Sequence, residues 1–169
     1  VAFTTNNVKS KIDLKNRLGE FSANGGASFV DFPVNQYVCY MDQFKWFMDA
    51  FELEISTNAG TAKKGDNTAT SDDDLDLEGS EFISTNPTQD SLLFVAPKAN
   101  YDLKNYVIKA HEVKYINVAD ARIYSGDGEV VVKRNAEMEP LEKAEIVANN
   151  STKYHRITNS TVIIKARRS

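Results

Sequence analysis

A chain of 169 residues with 41% apolar and 26% charged side chains has enough material for one domain with a sizeable core, or two small ones. A net charge of −4 argues against nucleic-acid binding, and no apolar run approaches the roughly 18 residues of a membrane-spanning helix. The single cysteine, Cys39, excludes an internal disulfide and a cysteine-based zinc site.

In chain order, residues 8–56 read as a run of strands. Ile12 and Leu14 alternate with Lys11, Asp13 and Lys15, and the alternation resumes at Phe21 and Ala23. Asn24-Gly25-Gly26 is a hairpin signal, with Ala27, Phe29 and Val30 as the returning strand. Pro33 marks a strand end or an edge. The stretch 37–56 holds the densest aromatic residues and fits two templates. As a helix, Tyr40, Phe44, Phe47, Met48, Phe51 and Ile55 share a face. As strands, Phe44, Trp46 and Met48 share one face, Asp49 and Ala50 turn the chain, and Phe51, Leu53 and Ile55 share the next. The aromatic enrichment and β-rich flanks favour strands. Phe44, Trp46 and Met48 are therefore the candidate binding residues if their stripe is exposed, and core residues if it is buried.

Residues 66–90 carry eight acidic groups and no basic one, whereas residues 91–169 carry thirteen basic and nine acidic. Small polar residues fill 57–90, so this segment reads as an acidic flexible loop between an N-terminal β segment (1–56) and a C-terminal one (91–169). Its run Asp72, Asp74, Asp76 offers carboxylates to calcium, but Leu77 stands where an EF-hand needs glycine and Ile83 where it needs glutamate. No other cofactor is expected.

After Ser91, a short pattern recurs: apolar, two residues, apolar, one residue, apolar. Val113, Ile116 and Val118 form one copy, and Val118, Ala121 and Ile123 the next. Leu141, Ala144 and Ile146 return to it, and Asn159, Val162 and Ile164 do so loosely. Strand-length runs recurring at a step of about 20 residues predict stacked coils, with Ala121 and Ala144 in equivalent inward positions. Ser125-Gly126-Asp127-Gly128 is a hairpin or coil corner. The expected fold is all-β, with stacked strands in a solenoid- or β-taco-like arrangement; a β-sandwich or jelly roll is the alternative.

Within 8–56, Ile12-Asp13-Leu14-Lys15 followed by Gly19, Phe21 and Asn24-Gly25 resembles the OstA-like segments of lipopolysaccharide-transport proteins. That family forms open β-taco or jelly-roll stacks around an apolar interior, so the resemblance implies a cell-envelope protein in contact with lipid. The aromatic stretch 37–56 departs from the family's aliphatic interior. The expected function is a non-catalytic structural or binding module of a cell-envelope or secreted protein, contacting a lipid, a glycan, another envelope protein or neighbouring segments of a longer parent chain. The alternative is a carbohydrate-active β-helix enzyme, whose groove would draw on Lys114, Arg122, Lys133 and Arg134 together with carboxylates. His111-Glu112 has no spacing that marks a dyad.

Overall fold

The computed structural model describes residues 1–25, 28–57, 77–90, 92–148 and 155–165. These residues form sixteen strands. The first half contains β1 (Thr4–Asn6), β2 (Val8–Asp13), β3 (Leu18–Ala23), β4 (Phe29–Phe32), β5 (Tyr37–Tyr40), β6 (Gln43–Phe47), β7 (Glu52–Ser56) and β8 (Ser80–Ser84). The second contains β9 (Leu93–Ala96), β10 (Lys98–Asp102), β11 (Val107–His111), β12 (Ile116–Val118), β13 (Ala121–Tyr124), β14 (Val130–Val132), β15 (Leu141–Ala148) and β16 (His155–Val162). A 3-10 turn, Arg134–Ala136, follows β14.

Two open antiparallel sheets result. One runs β1-β4-β5-β8-β9-β12-β13-β15-β16, the other β14-β11-β10-β7-β6-β3-β2. From β2 onward the chain lays two consecutive strands in the seven-stranded sheet, then two in the nine-stranded sheet, and alternates. Even β14 keeps this rhythm, because Met138 bridges back to Val132 and the Glu139 N–H donates to Val131 O at 3.0 Å. The turns within each pair therefore lie along one long side and the crossovers between sheets along the other. Turn bonds to turn on the first side: Met48 N–H donates to Arg17 O, Thr85 N–H to Gln36 O and Leu103 N–H to Phe51 O. On the other side Ala23 N–H donates to Asp42 O and Val113 N–H to Gly128 O. Arg17, Gln36, Phe51 and Tyr106, each closing a four-residue turn, all have φ between 55° and 58°.

Register carries the period-2 pattern across both sheets. In the nine-stranded sheet, pairing sets Thr5, Val30, Cys39, Phe82, Phe94, Ile116, Ile123, Ile146 and Ile157 in one row. In the seven-stranded sheet Ile12, Gly19, Trp46, Leu53, Tyr101, Ile108 and Val132 form another. These rows face each other and are buried in the middle, where the rings of Phe32 and Tyr101, from opposite sheets, lie 4.6 Å apart. On the outer face of the seven-stranded sheet, Lys11, Glu20, Lys45 and Glu54 alternate in sign across four neighbouring strands. Opposite charges directly across a ladder favour this register over its neighbours.

Three expectations change. Residues 57–90 are not loop throughout: Ser80–Ser84 forms β8, between β5 and β9, with Phe82 fully buried. Both sheets thus run without interruption through the segments 1–56 and 91–169. The Asn24-Gly25-Gly26 signal does not close a hairpin, since β3 and β4 belong to different sheets. Ala121 pairs with Ala148 on an antiparallel neighbour, so Ala121 and Ala144 do not occupy equivalent layers. The two-residue gaps of the repeat mark backbone irregularities: Ala119 (φ 50°) turns the chain between β12 and β13, and Lys143 (φ 49°) sits at a register shift in β15.

Candidate functional site

β6 settles the aromatic stretch as a strand. Phe44 and Trp46 point inward and Lys45 outward, as alternation requires. Phe44 is buried and Trp46 half-buried. Around them stand two rings that the sequence reading did not single out as site residues. Phe21 of β3 stacks on Phe44 at 4.3 Å, and Phe3 meets Phe44 and Trp46 edge-on, each at 6.1 Å. The sequence signal for Phe21 was its alternation with Ala23, and the ladder sets it opposite Phe44. Phe3 precedes β1 and carries no periodic signal. Its segment is held by the Tyr101 hydroxyl, which donates to Ala2 O at 3.1 Å. Met48 lies past the end of β6, buried in the turn, where its N–H donates to Arg17 O.

Burial governs the titratable groups of the interior. It raises the phenols of Tyr37 and Tyr101 above their ordinary range and the Cys39 thiol well above its own. Cys39 is fully buried and therefore a neutral packing residue.

Of the basic residues named for a catalytic groove, Lys133 and Arg134 adjoin in the turn after β14, whereas Arg122 lies in β13 and Lys114 between β11 and β12. Lys133 pairs with Glu139 at 2.9 Å, a contact that raises its pKa, and the Arg134 guanidinium lies 4.2 Å above the Tyr106 ring. Arg122 is buried against the Tyr115 ring at 4.6 Å. His111 Nδ1 is 3.2 Å from Glu129, and Glu112 pairs with Lys98. Outside the seven-stranded sheet, a groove of about 380 Å³ lies between the β6–β7 and β10–β11 turns. Several of its polar groups have partners close by. Asn100 donates to Glu52 at 2.5 Å, Lys104 sits 4.5 Å from the Phe51 ring, and Asp102 accepts from the backbone N–H groups of Lys104 and Asn105. Asp72, Asp74 and Asp76 lie outside the described residues, and among the described residues no cluster of three His, Cys, Asp or Glu side chains could hold a metal. No family model matches the chain, and no curated protein matches it significantly.

Proposed function

We propose that this chain is a non-catalytic structural module, one segment of a stacked β scaffold in a cell envelope or secreted assembly. The carrying observation is that the apolar inner rows run off both ends of the stack. The row of one sheet stops at Ile12, 46% exposed, and that of the other at Ile157, 55% exposed. Leu14 and Ile163, just beyond these end strands, are also exposed. Edge strands present unpaired backbone groups to any incoming strand, and here they present an apolar face as well. Alternating hairpins in two open sheets suit an open β-taco or jelly-roll stack, in which each new hairpin extends one sheet and the next hairpin the other. Neighbouring strands, from a parent chain or a second copy, are the occupants that complete such ends.

Sedimentation velocity over a concentration series tests this reading. The chain associates end to end, and Ile157→Lys or Ile12→Lys shifts it to monomer. A chain that stays monomeric throughout, or variants that associate as the parent does, would refute it. Contact with a lipid chain is a second reading, favoured by the half-buried ring of Trp46 beneath Phe3. Quenching of Trp46 fluorescence by vesicles of brominated lipid supports it; emission unchanged by such vesicles removes it.

A further inference from the structure

The two long sides of the molecule are closed by different means. On the crossover side the sheets are joined covalently, by Met41 and Asp42 between β5 and β6 and by Pro97 alone between β9 and β10. On the turn side a polar knot around residues 133–137 joins them. There the Asn135 N–H donates to Val34 O and the Ala136 N–H to Asn35 O, both at 2.9 Å. The Asn35 amide, fully buried, reaches the carbonyls of Tyr106 (2.7 Å), Lys133 (3.0 Å) and Val132 (3.3 Å). Gln89, also buried, donates to Ala136 O at 2.8 Å and accepts from the Ser84 hydroxyl at 2.7 Å.

We propose that this knot is a latch, and that the turn side is a seam that opens locally about the short crossovers while both sheets stay folded. Two costs are concentrated in the latch. Asn135 and Ala136 are consecutive left-handed residues (φ 55° and 57°), and alanine has no side-chain polar group to offset that conformation. The buried Asn35 Oδ1 has no hydrogen-bond partner. Opening relieves both, hydrates the knot and uncovers the Phe32–Tyr101 contact behind it. The inference concerns the seam and is independent of what covers the stack ends.

Native-state hydrogen exchange on the dilute, monomeric chain tests it. In the parent protein the amides of Asn135 and Ala136 exchange through a smaller opening than amides of β5 and β8. Asn35→Ala speeds exchange at the seam about tenfold and changes the strands less. Ala136→Gly, which relieves the strained φ, slows seam exchange; it carries the test if Asn35→Ala does not fold. Seam amides that exchange together with those of β5 and β8 in each protein, or an Ala136→Gly seam no slower than the parent's, would overturn the latch.

Discussion

Asp13 and Asp102 head the same four residues, Asp-Leu-Lys-Asn, in turns 89 positions apart. Each carboxylate accepts from the N–H groups two and three residues on, and from the asparagine side chain at 2.7 Å. The tetrapeptide is the same at both places, and the geometry shows why it recurs. The side chain supplies acceptors that the turn backbone lacks. Those bonds, the Asn16 and Asn105 backbone N–H groups foremost, hold both carboxyl groups below the ordinary aspartate pKa. A group depressed on folding contributes stability that is present above its unfolded pKa and lost as pH falls through its folded one. Replacing both by asparagine therefore flattens the loss of stability between about pH 5 and about pH 3, read from urea midpoints against pH. An unchanged acid limb counts against these bonds. The inner rings make a second residue-scale comparison. Phe44→Ala, at a buried stacked ring, costs about 3–5 kcal/mol, whereas Trp46→Ala, half-exposed, costs about 1–2 kcal/mol in denaturant unfolding. Equal costs would place the two rings in the same environment.

At the scale of elements, the strand pattern was legible wherever alternation was strong, as in Phe44-Lys45-Trp46 and Leu53-Glu54-Ile55. It failed at β8, because Ser80–Ser84 contains only two apolar residues, Phe82 and Ile83, inside an acidic run. A fully buried Phe82 is decided by the strands on either side of it, which local composition does not encode. The entry to β8 depends on Gly79, at φ 151°, where a β-carbon would lie 2.6 Å from the Ala96 carbonyl. Gly79→Ala should cost at least about 1–3 kcal/mol from the backbone conformation alone. Gly25, at φ 76° with nothing within 4 Å, should tolerate alanine at about 1 kcal/mol. Thermal unfolding of the two variants side by side checks the contrast, and a Gly25→Ala loss as large as that of Gly79→Ala would contradict it.

For the whole molecule, the all-β class was legible, but the alternation of hairpins between sheets was not. Turn residues specify that a chain reverses; they do not specify whether the returning strand pairs beside the last one or faces it. Asn24-Gly25 reverses the chain across sheets, while Asp49-Ala50 reverses it within one, and their compositions do not distinguish the cases. The apolar repeat misled for a related reason, since a period-2 pattern reads the same in either strand direction. The candidate stripe was legible as aromatic, but its ring partners Phe3 and Phe21 come from other elements. Nuclear Overhauser contacts in the labelled chain test the alternating two-sheet account most directly. The account predicts cross-strand contacts from Phe21 to Phe44, Leu53 to Tyr101 and Ile123 to Ile146. Hairpin contacts between β3 and β4, or a parallel register setting Ala121 beside Ala144, would contradict it.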